Sequence, residues 1–355
     1  MKIEKTILVI DWLDVYGGAE KVAQYLHQEF KFDKVYTLIN VMSEENLNRI
    51  FGEELEIKTS FLQVFGKFFR LGFALFPLAL RNIKVEEENC LIISISHSVV
   101  KGVSYKKSSK HISYLVARNL KYVWEEKDLY FKGIKSLGAF IVPAMRKFDI
   151  KMSKKPTIIL SVSDFVTNWA IKKYNRKVIT VNPPVNIDDF EYQENKEDFY
   201  VTVGRLEPYK RYDLLIDVFN KNGKKLVIIG DGSLMKEFQN IAKSNIEFKG
   251  YLFPHESKEF LKKAKAFVFC GKEDFGIALL EPQVCGTPVI AFGEGGALDT
   301  VVENKTGVFF YKQTNSSLEE AIIRFESLDF NSSFIRQHSL KFSVDKFKEV
   351  FKRLI

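Results

Sequence analysis

Two cations and two carboxylates in the second half of the chain are spaced to hold a charged ligand rich in hydroxyls. After an apolar run ending at Val203 comes Gly204-Arg205-Leu206-Glu207-Pro208-Tyr209-Lys210. The glycine lets the backbone turn, and Arg205 and Lys210 then project over the end of the strand. A guanidinium fork and an ammonium point charge are together the complement of a diphosphate. After a second apolar run, ending at Cys270, comes Gly271-Lys272-Glu273-Asp274-Phe275-Gly276 and then a helix that carries Glu281. That helix start offers backbone N–H groups to an anion or a sugar hydroxyl. Glu273 and Glu281, eight residues apart, can hold hydroxyls of two different rings. Pro282 requires this helix to start late or to bend. Taken singly, each motif reads equally as an exposed basic or acidic loop.

Two glycine turns carry weaker signals. Gly17-Gly18-Ala19-Glu20 lies between the first strand and the first helix, where a helix N-terminus can cradle a phosphate. Gly293-Glu294-Gly295-Gly296 follows the strand ending at Phe292, and its glycines are expected to let a backbone come close to a ligand.

The elements that position these loops are read from periodicity. Short β-branched runs predict strands at Thr6–Asp11, Val35–Ile39, Cys90–Ser96, His111–Val116, Thr157–Ser161 and Val178–Val181. Helices are expected over Ala19–Phe30 and Asp164–Tyr174. Phe140–Val142 is apolar but short, and Leu137, Ile141, Met145 and Phe148 fit a helical face as well. Asn182-Pro183-Pro184-Val185-Asn186 is a stiff extended connector, and the domain boundary is placed there. The second half repeats the alternation, with strands at Phe199–Val203, Leu226–Gly230, Ile246–Lys249, Ala266–Cys270, Val289–Phe292 and Gly307–Phe310. Helices run over Arg211–Asn220 and Leu234–Lys243, and others start near Glu256, Gly276 and Ala297. The pattern is α/β, two doubly wound parallel sheets, whose ligands bind outside the carboxyl ends of the strands.

A chain of 355 residues is long for a single core, in keeping with two domains. Cys90, Cys270 and Cys285 are too few and too apolar in setting for a disulfide framework or a zinc site. The apolar start is about a strand's length and acidic residues follow it, so it reads as a first strand and not as a signal peptide. A cytoplasmic location is expected, with membrane association as a further expectation. Residues 1–182 hold 29 Lys and Arg against 19 Asp and Glu, a net of +10, whereas the remainder is at −2. No nucleic-acid module is recognisable. The basic half suggests an anionic partner, a phosphorylated substrate or a membrane surface, and Phe65, Phe68, Phe69, Phe73 and Phe76 near Lys67 and Arg70 suit docking at an anionic membrane. The same stretch reads equally as a helix buried against the sheet.

Together these loops resemble the family-4 retaining glycosyltransferases of GT-B fold, most closely the bacterial mannosyltransferase-like branch. The resemblance covers nearly the whole chain. Its most specific pieces are Gly204-Arg205 with Lys210, Gly230-Asp231-Gly232, Glu273-Asp274-Phe275-Gly276 with Glu281, Gly286-Thr287-Pro288-Val289-Ile290-Ala291 and Gly295-Gly296. Tyr16-Gly17-Gly18-Ala19-Glu20, Thr59-Ser60-Phe61-Leu62 and Ser96-His97-Ser98-Val99-Val100-Lys101-Gly102 also look like that branch.

The resemblance implies two Rossmann-like domains facing a central cleft, with the C-terminal helix crossing back to the N-terminal domain. The acceptor-side domain would then be residues 1–182 plus 342–355, and the donor domain 183–341. Arg205 and Lys210 would clamp the donor diphosphate, and with Glu273 they form the expected catalytic set. Glu281 would hold the ribose, and Glu273 the transferred sugar. Gly17, Gly18, Gly204, Asp274, Phe275, Gly276 and Ile277 complete the donor side. No metal and no cofactor is implied. The partners implied are a nucleotide-sugar donor, with GDP-mannose favoured, and a glycan or lipid-linked acceptor of surface polysaccharide synthesis.

One motif departs from the branch. Before Lys121-Tyr122-Val123-Trp124 the branch reads His-Thr-Pro, whereas this chain has Ala117-Arg118-Asn119. On the acceptor side the expected substitutes are Arg118 for its charge and His97 or His111 from neighbouring loops. Two other readings use the same donor residues: a GT-B phosphorylase, and a non-catalytic homologue that binds a sugar nucleotide.

Overall fold

Runs of buried, largely β-branched residues become the strands of two parallel sheets. The computed structural model describes residues 3–52, 55–125 and 140–355. Its contacts divide the chain into two units, Met1–Asn182 with Val350–Ile355, and Pro183–Glu349.

The first unit holds β1 (Lys5–Ile10), β2 (Lys34–Thr37), β3 (Ile57–Lys58), β4 (Cys90–Ser96), β5 (Lys110–Leu115), β6 (Ile158–Ser161) and β7 (Ile179–Thr180), in the order β3-β2-β1-β4-β5-β6-β7. The order reverses between β1 and β4, which pair in parallel from Lys5–Cys90 to Ile10–Ile95. The loops leaving these two strands therefore diverge and open a crevice at the carboxyl edge. Every residue of β4 is buried, as expected of a strand covered on both faces. One of those faces packs Ile7, Val9 and Ile92 against Phe69, Phe76, Met145 and Met152.

The expected strands appear with ends shifted by a residue or two. The apolar stretch around Phe140 opens the helix Val142–Met152, so the helical alternative holds there; Leu137 lies outside the described residues. Elements without a prediction include β3 and the helices Glu44–Phe51 and Phe76–Asn82, and the stretch read as a possible buried helix is a kinked 3-10 segment over Phe61–Leu75, broken at Gly66.

The second unit holds β8 (Glu197–Val203), β9 (Leu226–Ile229), β10 (Ile246–Gly250), β11 (Ala264–Phe269), β12 (Val289–Phe292) and β13 (Gly307–Phe310), in the order β10-β9-β8-β11-β12-β13. Its switch point lies between β8 and β11, the strands that precede the two motifs carrying Arg205, Lys210 and Glu273. The core joins Tyr200, Leu215, Phe219, Ile228, Val268 and Phe310.

Residues 342–349, grouped with the first domain by the resemblance, belong to the second unit. The Val185 N–H donates to the Phe342 carbonyl at 2.8 Å, and the Phe342 ring lies 6.1 Å from Phe275. From Val350 onward the last helix, Val344–Arg353, belongs to the first unit, where Phe351 meets Phe30 and Tyr114.

Candidate active site

In the second unit, glycines bring the loops of the switch point together. A side chain at Gly230 would overlap the Gly204 carbonyl, and one at Gly232 would stand 2.6 Å from the Leu206 nitrogen. With glycine at both positions, the Leu206 N–H donates to the Asp231 carbonyl at 3.0 Å, and the Gly204 N–H to Ile229 at 2.9 Å. The loop after β8 is thereby laid against the loop after β9. It then tightens into a 3-10 turn, Pro208–Lys210. Gly271 lets the loop after β11 come alongside, since a Cβ there would lie 3.1 Å from the Lys210 Cα.

The result is a cation held against a carboxylate. The Lys210 ammonium pairs with Glu273, and both side chains are largely shielded, at 13% and 27% exposure. Lys210 also lies 4.9 Å from the Phe269 ring centre and 5.3 Å from that of Tyr209. The faces of such rings attract an ammonium electrostatically. Arg205 is exposed, its guanidinium 3.4 Å from the Tyr209 hydroxyl. Tyr209 therefore touches both cations of the motif, a role that its position gave no reason to assign.

Glu273 is fixed through its backbone. Its carbonyl accepts from the Gly296 N–H at 2.9 Å, and it forms a bridge with Gly295. A Cβ at Gly295 would overlap the Glu273 carbonyl, and one at Gly296 would overlap Phe275. The Gly295-Gly296 pair thus admits the backbone of the Glu273–Phe275 loop, where sequence reasoning assigned it to a ligand.

Gly276 has φ +87°, a conformation open to glycine, and turns the chain into the helix Ile277–Val284. Ile277 is the first residue of that helix, and Asp274, Phe275 and Gly276 form the turn before it. Glu281 is partly exposed on the helix's second turn. Pro282 lies inside this short helix and cannot donate to the preceding turn. One residue on, the Gln283 side-chain amide donates to the Leu279 carbonyl at 2.8 Å.

In the first unit, the Gly17 N–H donates to the Glu20 carboxylate at 3.0 Å, so that amide already has an acceptor. Burial raises Glu20 to about 7. His97 stands edge-on to Trp12 with ring centres 4.1 Å apart, its Nδ1 3.6 Å from Asp11. Burial holds it below the ordinary histidine value, against the opposing pull of Asp11 and Asp14. Of the three candidates on this side, His97 is the one at the carboxyl edge with a partly exposed side chain.

The other two are placed differently from expectation. His111 lies inside β5, fully buried, with Nε2 2.8 Å from the Ser94 hydroxyl, and burial pushes it down to about 3. It is a neutral residue of the sheet and belongs to no loop. Arg118 is buried against the Phe165 ring at 4.9 Å and pairs with Glu125 at 3.6 Å. Its charge is already matched within its own unit.

Residues 185–339 match the model of the family described as glycosyl transferases group 1. An uncharacterized glycosyltransferase of Methanocaldococcus jannaschii is 30% identical over 170 residues, 46% of this chain and 48% of that protein. The alignment thus spans about half the length of that relative. The O-antigen chain mannosyltransferase RfbU of Salmonella typhimurium is 25% identical over 225 residues, 60% of this chain and 63% of that protein. Among solved structures, Anabaena HepE in complex with UDP superposes with a TM-score of 0.70 at 14% identity, covering 98% of this chain and 99% of that one. Residues 185–339 thus match the group 1 glycosyl transferase model, within a chain that shares its two-sheet fold with HepE.

Proposed function

We propose that the protein is a retaining glycosyltransferase that moves a hexose from a nucleoside-diphosphate sugar to a hydroxyl of a glycan or lipid-linked oligosaccharide. The observation that carries this reading is the pairing of Lys210 with Glu273 at the switch point of the second sheet, inside the residues matched by the group 1 model. A diphosphate entering there meets Lys210 and Arg205, while Glu273 is released to the hydroxyls of the sugar. When the bond from the sugar carbon to the phosphate oxygen breaks, negative charge grows on the diphosphate, and both cations stabilise it. The acceptor oxygen bonds to the same carbon, and its proton leaves with the phosphate.

Mannose is the preferred sugar and guanosine the preferred base. A relative named as an O-antigen chain mannosyltransferase supports the sugar and an acceptor in surface polysaccharide synthesis. The HepE structure contains UDP, which makes uridine the base to test against it. Calorimetric titration with GDP, UDP, GDP-mannose and UDP-glucose, followed by product detection with oligosaccharide acceptors, tests the reading. Failure of every nucleotide to bind would sink it.

A second reading, a sugar-nucleotide-binding protein without transfer, is favoured by the engagement of Arg118 with Glu125 and Phe165. Binding of a donor without turnover on any acceptor selects it.

A further inference from the structure

The segment Phe61–Asn82 is apolar on two sides at once. It is 22 residues long, with a mean hydropathy of 1.3 that matches a membrane-crossing helix. It cannot leave the fold to cross a bilayer, because Leu62, Phe69, Phe76, Ala79 and Leu80 are built into the core of the first unit. Its other side faces outward, with Val64 84%, Phe68 73% and Leu71 76% exposed, and Phe61, Phe65 and Leu78 also exposed. Scattered apolar residues are ordinary on a surface, whereas a contiguous set on one segment marks an interaction site.

Charge identifies the partner. Between Ile57 and Val85 the chain carries Lys58, Lys67, Arg70, Arg81 and Lys84 and no acidic residue. Exposed apolar side chains on a segment whose own charges are all cations complement the interface of an anionic bilayer, where rings enter the acyl boundary and ammonium groups meet phosphates. A protein partner of ordinary composition calls for charges of both signs around its rim.

The segment is also fixed in place. Trp12, just past β1, packs on Phe69 at 5.3 Å and Phe76 at 5.9 Å between ring centres. Arg70 pairs with Asp14 and stacks on Phe69. The outward face is thus a rigid ledge next to the carboxyl edge of the first sheet, beside His97.

We infer that Phe61–Asn82 seats this protein on an anionic lipid surface, lying in the interface without spanning it. The inference rests on this surface alone and is independent of the reaction proposed above.

Flotation of the full chain with vesicles tests it, using phosphatidylcholine mixed with phosphatidylglycerol and phosphatidylcholine alone. Binding to the mixed vesicles that is lost in high salt is expected, with little binding to the neutral ones. Val64→Ser, Phe68→Ser and Leu71→Ser combined should abolish flotation. Lys67→Gln and Arg81→Gln should each weaken partitioning by about fivefold. These side chains point outward, so tryptophan fluorescence should report an unchanged fold. Equal binding to both vesicle types, or a triple variant that floats like wild type, would overturn the inference. So would a native dimer that the triple variant converts to monomer, because the face would then belong to a second copy.

Discussion

The Asp11 carboxylate lies 2.7 Å from the backbone nitrogen of His97, and the same group accepts from the next three amides, Ser98, Val99 and Val100. Asp11 directly follows β1, and His97 directly follows β4. One buried carboxylate thus ties together the two loops that diverge at the switch point of the first sheet. It satisfies four consecutive donors that a short turn would otherwise leave bare. The His97 ring, the acceptor-side candidate at this edge, is held through this backbone.

Asp11→Asn tests that role. The amide keeps one acceptor oxygen and turns an NH2 group toward two of the four donors. Two charge-assisted bonds are lost, and a loss of about 2–4 kcal/mol in the stability of the first unit is expected. Trp12, Trp124 and Trp169 are the three tryptophans of the chain and all lie in that unit, so fluorescence in a urea titration reads it selectively. An unchanged midpoint would contradict the assignment.

The Lys210–Glu273 pair predicts opposite behaviour for its members. Lys210→Ala should weaken nucleoside-diphosphate binding by about 1.5–3 kcal/mol, the range for hydrogen bonds to charged groups. Glu273→Gln removes the carboxylate that competes with the phosphates for Lys210, so affinity for the bare diphosphate should hold or rise. Transfer from the sugar nucleotide should nevertheless fall. Calorimetry with GDP and a turnover assay separate the two effects. If Glu273→Gln lowers GDP affinity as much as Lys210→Ala does, the carboxylate contacts the nucleotide itself.

Gly296→Ala probes the loop that carries Glu273. A methyl group there would collide with the backbone of Phe275. Because backbone cannot rotate away as a side chain can, the Glu273–Phe275 turn must shift. The expected cost is about 1–3 kcal/mol in the second unit, together with weaker sugar-nucleotide binding. Far-ultraviolet circular dichroism in urea reads the first, and calorimetry the second. A variant of wild-type stability would show that the two loops do not pack as described.

Those glycines mark how far sequence reading reaches. Strands β4, β12 and β13 were legible to the residue because each is a short, largely apolar run between turn signals. The cations of Gly204–Lys210 and the carboxylate of Glu273 were legible as a group, because parallel strands deliver their following loops to one edge. A glycine, in contrast, states that something comes close without stating what. At Gly295 and Gly296 it is a neighbouring loop. The two residues of β3 carry no period to read, and Phe61–Leu75 is apolar toward both core and solvent, which erases the period a helix would show. The contacts of Arg118 with Glu125 and Phe165 were not legible, because no periodicity states which side chains a loop cation will meet.

Two titrations in the first unit work against each other with pH. Glu20 is raised from 4.5 to about 7 by burial. The folded state therefore keeps a proton that the unfolded chain releases, and this contribution to stability falls as pH rises from about 4.5 to 7. His111 is lowered from 6.5 to about 3, also by burial. Here the unfolded chain binds the extra proton, so its contribution falls as pH drops from about 6.5 to 3. Between pH 4.5 and 6.5 these two slopes oppose, and His97, also held low by burial, adds to that of His111. Glu20→Gln removes one slope, and stability relative to wild type should grow by about 3 kcal/mol between pH 4.5 and 7.5. His111→Gln removes the other, so its stability relative to wild type should be greatest at the acid end. Urea midpoints from tryptophan fluorescence across pH 4 to 8 measure both, with the pH range chosen to bracket the two shifted groups. If the Glu20→Gln difference from wild type is flat with pH, Glu20 titrates normally and its burial is relieved by solvent.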